Sequence, residues 1–255
     1  MVIYMTDIKN INGHECHIQR HGKESTDMLP VFYWGIAARD ETGIERVESY
    51  IEKMQPHADY LLVTYKVNNW NDEFSPWKAP PAFGQEGFSG NGQKTLEWLI
   101  NECIPYIESE NNGYIKETKQ VARFCTGYSL AGLFSLWAYY ESTIFDGAVS
   151  CSGSLWFPGW LDYIEKKDDR FAVSEKTNYV YLSLGDKEEK TKNSTMAAVG
   201  DNTRIQHDKI GAANDKIVSV LEWNIGGHFS EPDVRVAKGI LWVIKEGQKK
   251  YYVPD

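Results

Sequence analysis

The chain has 255 residues, 42% hydrophobic and 13% aromatic, enough for one sizeable domain to fold around its own core without metal or disulfide staples. Lys and Arg number 27 against 36 Asp and Glu; a net charge of −9 with no basic tract excludes nucleic acid and anionic membrane as expected partners. No run approaches the ~18 apolar residues of a spanning helix. The opening MVIYMTDIKN has no basic stretch followed by an apolar one, so no secretion signal and a cytoplasmic location are expected. Cys16, Cys103, Cys125 and Cys151 are scattered and read as buried thiols in a reducing compartment. No repeat or linker divides the sequence, and residues 1–255 are read as a single domain.

In chain order, His14–Arg20 alternates like an outer antiparallel strand, and Met28–Ile36 (MLPVFYWGI) is a near-continuous apolar run suited to a strand buried on both faces. Ile44, Val47, Ile51 and Met54 then share one face of a helix that closes near Pro56. Tyr60–Val67 is the next strand. A polar and aromatic connection, Asn68–Gly92, leads into a helix whose Leu96, Leu99, Ile100, Cys103, Ile104 and Ile107 follow a 3.6-residue period. Val121–Thr126 reads as a strand and Ser129–Tyr140 as a helix with Leu133, Leu136, Trp137 and Tyr140 inward. Phe145–Ser150, Tyr179–Leu184 and Val218–Ile225 are further strands, and a helix over Asp233–Glu246 closes the pattern. Alternating strands and helices predict an α/β fold: a mostly parallel central sheet with helices on both faces. Ligands of such folds collect beyond the C-terminal ends of the strands.

At one of those ends stands Gly127-Tyr128-Ser129-Leu130-Ala131-Gly132, between an apolar strand and an amphipathic helix. A nucleophilic serine on a tight strand-to-helix turn needs small residues two before and two after it, and Gly127 and Ala131 satisfy that. The N–H of Leu130, at the helix start, is placed to receive a developing oxyanion. The competing reading is a plain N-cap serine. A seryl hydroxyl needs a base. Of six histidines, only His207 and His228 follow the serine; His207 lies in a charged, helix-like stretch, whereas His228 follows the last strand through Gly226-Gly227. The orienting carboxylate belongs after the preceding strand, where Asp186, Glu188 and Glu189 all qualify; Glu188 is favoured because it clears the turn at Gly185.

These segments in this order resemble the esterase family of the α/β-hydrolases that includes esterase D, enterochelin esterases, feruloyl and acetyl xylan esterases and the mycolyltransferases. The resemblance runs from about Leu29 to about Val243 and rests on PVFYWG, NDEFSPW, GFSGNGQKTLEWLINECIPYIE, GYSLAGLFSLWA, SLGDKEE and GGHFSEPDVRVAKGILW. It implies an α/β-hydrolase fold without a separate lid domain, Ser129 as nucleophile, His228 as base and Glu188 at the acid position, where many relatives carry Asp. It also implies a second oxyanion N–H just after the PVFYWG strand, near Ile36, although the His-Gly pair usual there is replaced by Trp34-Gly35-Ile36.

The expected function is hydrolysis of a small-molecule carboxylic ester or thioester through an acyl-enzyme on Ser129, with no cofactor and no metal. The rivals are acyl transfer by the same residues and a catalytically silent binding protein. Trp70, Phe74, Trp77 and Phe83 of the long connection, together with Trp156, Phe157 and Trp160, are candidate pocket walls, and Tyr128 a further substrate contact. A homodimer is the default expectation. The phosphate-loop-like GFSGNGQKT is set aside because Gln93 separates its last Gly from Lys94. His14 and His17 are set aside as metal ligands because an alternating strand points them to opposite faces.

Overall fold

The computed structural model describes residues 5–22, 28–38, 40–82, 84–111, 115, 120–167 and 176–249. Its strands are β1 (Met5–Ile11), β2 (His14–His21), β3 (Met28–Ala37), β4 (Tyr60–Val67), β5 (Lys78–Ala79), β6 (Phe88–Ser89), β7 (Gln120–Tyr128), β8 (Gly147–Cys151), β9 (Asn178–Gly185) and β10 (Ile217–Asn224). Eight of them form one sheet in the order β1-β2-β4-β3-β7-β8-β9-β10. From β4 to β10 every pairing is parallel, while β1 and β2 run antiparallel at one edge.

Alternation along the central strands splits the core between two faces. Phe32, Trp34, Leu62, Phe124, Val149 and Tyr181 face helices α1 (Glu41–Met54) and α9 (Pro232–Lys249). Val31, Tyr33, Val63, Cys125, Ala148 and Val180 face the remaining helices. On that second side lie α3 (Gly92–Trp98), continued by a π turn (Leu99–Cys103) into α4 (Ile104–Glu110), then α5 (Leu130–Glu141), α6 (Trp160–Glu165) and α8 (Val199–Ala213). The short helices α2 (Trp70–Glu73) and α7 (Ser194–Ala197) sit in connections.

Four departures from the sequence reading have local causes. The His14–Arg20 strand is not outermost: β1 pairs outside it through a turn at Asn12-Gly13, both at positive φ (45° and 98°), the geometry that favours Asn-Gly in two-residue hairpins. The 96–107 helix is regular except at its π turn. Pro105, at the start of α4, has no N–H for the carbonyl four residues back, and the wider turn just before it accommodates that loss. Met54 leaves the buried stripe of α1 and is 51% exposed. Finally, α5 is buried from Leu130 to Tyr140 on all sides, because the loops after β4 and β8 cover the face expected to meet solvent.

The phosphate-loop-like segment closes on its own connection. The N–H groups of Gly90, Asn91 and Gly92 are spent on Ser75 Oγ, the Asp72 carbonyl and the Ser75 carbonyl, so none is offered to an anion.

Candidate active site

The first functional element is the turn joining β7 to α5. Ser129 has φ 57° and ψ −122°, a region costly for any residue with a Cβ, and its side chain makes no capping bond to the helix, which removes the N-cap reading. Its N–H donates to the Cys151 carbonyl at 3.0 Å, and its carbonyl accepts from Leu133 and Ser154, so backbone bonds hold the strained residue on both sides. A Cβ on Gly127 would fall 2.2 Å from the Ala131 carbonyl carbon and oxygen. Gly127→Ala is therefore expected to cost about 3 kcal/mol or more, roughly 6–12 °C in melting temperature, readable by thermal denaturation.

The loops after β9 and β10 complete the site. His228 Nε2 lies 3.0 Å from Ser129 Oγ, and its Nδ1 lies 2.7 Å from Glu188 Oε2. Three residues from three strand ends are thus joined in one series at the C-terminal edge of the sheet. Of the acids left open by the sequence, only Glu188 faces the imidazole. Asp186 Oδ1 accepts from the Gly226 N–H at 2.8 Å, and Glu189 pairs with Arg204 at 2.9 Å.

Glu188 is buried, 8% exposed. Its Oε1 accepts from Ser152 Oγ (2.7 Å), the Gly185 N–H (2.8 Å) and Arg235 Nη1 (2.7 Å). Burial pushes its carboxyl up, but hydrogen bonding and charge from His228, with the bonds from Ser152 and Gly185, outweigh that and hold it below its ordinary value. The carboxylate stays ionised.

Leu130 is the first residue of α5, so its N–H has no carbonyl within the helix to meet and lies at the Ser129 turn. Ile36 lies near the C-terminal end of β3, at the same edge of the sheet. The β3–β7 ladder ends at Trp34↔Thr126 while the β3–β4 ladder continues to Ala37↔Val67, so Ile36 stands beyond the last rung toward the serine strand.

The expected substrate contacts divide. Tyr128 is drawn into the site's framework: its hydroxyl donates to the His228 carbonyl, and burial pushes its phenol up to about 12. Trp77 donates Nε1–H to the Pro158 carbonyl (2.8 Å) and packs on Phe157 and Tyr163, while Trp156 packs on Phe88 and Phe157. Trp70 stands edge-on to Phe74, and Trp160 is fully buried against Tyr140 and Tyr163. These rings clamp the 68–91 connection onto the loop after β8. Phe83 lies outside the described residues.

Sequence reasoning missed Ser152, Ser154 and Arg235. Ser152 has φ +46° and hydrogen-bonds Glu188; Ser154 Oγ is 3.4 Å from Ser129 Oγ. Arg235 offered a signal, being a lone charge four residues before Gly239 and eight before the buried Val243, on the inward stripe of α9.

No family model and no curated protein matches the chain. Solved structures do. An IroE-like serine hydrolase from Shewanella oneidensis superposes with a TM-score of 0.71 at 16% identity, over 96% of this chain and 81% of that one. Siderophore hydrolase EstA from Aspergillus nidulans gives 0.71 at 13%, over 96% and 94%. The enterochelin esterase from Shigella flexneri gives 0.60 at 14%, over 98% of this chain and 59% of that one. The fold is that of the α/β-hydrolases. At such identities the likeness carries the architecture, and the chemistry has to be argued from the side chains.

Proposed function

We propose that this protein is a serine hydrolase of carboxylic esters or thioesters. The observation that carries the reading is the series Glu188–His228–Ser129, bonded at 2.7 and 3.0 Å, with the serine on a strained turn. Ser129 Oγ attacks the acyl carbonyl as His228 Nε2 takes its proton; Glu188, held as a carboxylate, fixes the imidazole with Nδ1–H toward itself and stabilises the imidazolium. The Leu130 N–H, with a second from the end of β3 near Ile36, receives the oxyanion. His228 returns the proton to the leaving alcohol or thiol, and then activates water to release the acid and free Ser129.

The neighbours named siderophore hydrolase and enterochelin esterase make siderophore esters the first natural substrates to try. A fluorophosphonate probe should label wild-type protein at Ser129 and leave Ser129→Ala unlabelled. Turnover should be measured on aryl esters of increasing acyl length and on enterochelin. An unlabelled, inactive but folded wild type would sink the proposal.

A further inference from the structure

Arg235 is among the largest fully buried side chains, 1% exposed, and sits in the first turn of α9 beneath the His228 loop. A buried guanidinium is costly unless its charge and donors are met. Here they are met by the site itself. Nη1 donates to Glu188 Oε1 and to Ser152 Oγ, both at 2.7 Å, and Nη2 donates to the Gly227 carbonyl at 2.9 Å. The planar fork therefore joins the acid loop, the turn after β8 and the backbone residue next to His228.

We propose that Arg235 is a positioning residue that acts through Glu188 and the His228 loop. This rests on the serine-hydrolase reading above. Three donors occupy Oε1, so only Oε2 is left to face the imidazole; of the three, Arg235 alone also holds the base loop. With Tyr128 bonded to the His228 carbonyl and Arg235 to that of Gly227, the imidazole is fixed from both sides of its own backbone. The approach is tight as well: a Cβ on Gly185 would lie 2.8 Å from Nη2. An ammonium is a point charge on a flexible stem and cannot bridge the carboxylate and the carbonyl with the same planar geometry.

The test measures kcat and KM for p-nitrophenyl acetate, the rate of fluorophosphonate labelling at Ser129, and thermal stability, for Arg235→Met, Arg235→Lys, Glu188→Gln and the double variants. Arg235→Met should lose about 100-fold in kcat and in labelling rate with KM nearly unchanged, the scale of a misplacement on the order of 1 Å. Arg235→Lys should recover only part of that loss. In the Glu188→Gln background either Arg235 substitution should cost clearly less than it does in the wild type, since of its two attachments only the Gly227 carbonyl remains. Wild-type kcat and labelling in Arg235→Met, or a loss that adds in full to that of Glu188→Gln, would overturn the proposal. If Arg235→Met does not fold, the Arg235→Lys cycle decides by the same criteria. A wild type that the probe fails to label, with Ser129→Ala equally active, would overturn the serine-hydrolase reading instead.

Discussion

Ser129→Ala is expected to lower kcat by about 10⁵–10⁶ while ester binding is kept, because removing the nucleophile of a cooperating triad costs nearly as much as removing all its members. The same position supports a stability measurement independent of any substrate. At φ 57° and ψ −122° a Cβ is strained, at a cost of about 1–3 kcal/mol. Glycine adopts such a conformation freely but loses about 0.5–1 kcal/mol more chain entropy on folding. Relief of the strain outweighs that entropy, so Ser129→Gly should melt above Ser129→Ala by about 1 kcal/mol, roughly 2–4 °C in a chain of this size. Both variants lack the hydroxyl, so the comparison isolates the backbone. Equal melting temperatures would mean that the turn stores no more strain than the roughly 0.5–1 kcal/mol of chain entropy that glycine loses on folding.

That serine was legible because the constraint on its neighbours is steric and local. Gly127 and Ala131 must be small whatever else the chain does, and a strand and a helix must flank them. The β4 strand was legible to the residue for a similar reason: Tyr60–Val67 is buried throughout its length and so is apolar or aromatic at nearly every position. The β1 strand was not, because on MTDIKNI the buried face is marked chiefly by Ile11, while Ile8 is 59% exposed. Only the Asn12-Gly13 turn announced it. Choosing among Asp186, Glu188 and Glu189 needed three dimensions, since all three follow the same strand and differ only in where a turn and a short 3₁₀ helix aim them. Arg235 was hidden by a general expectation that charges face water. Its burial makes sense only beside Glu188, which lies 47 residues away in sequence.

Glu188→Gln should separate catalysis from stability and link both to pH. An amide keeps the side chain's volume but carries no charge, so it neither stabilises the imidazolium nor enforces the proton on Nδ1. A loss of about 10³–10⁴ in kcat is expected. Arg235 is then left buried without its anion, a cost on the order of 3–5 kcal/mol. A neighbouring acid provides the control. Glu189 pairs with an Arg204 whose side chain is 43% exposed, and Glu189→Gln should cost well under about 1 kcal/mol.

The sign of the pH effect follows from the direction of the Glu188 shift. Its carboxyl titrates lower in the folded chain than its ordinary 4.5, so the unfolded chain binds this proton first as pH falls. The stabilisation is fully present above 4.5 and is lost as pH falls from there through the folded-state value. The gap in unfolding free energy between wild type and Glu188→Gln, measured by denaturant titration, should therefore shrink as pH falls below about 5. A gap that widened as pH fell below about 5 would mean that Glu188 is protonated in the folded chain, and the imidazole would then have no carboxylate to orient it.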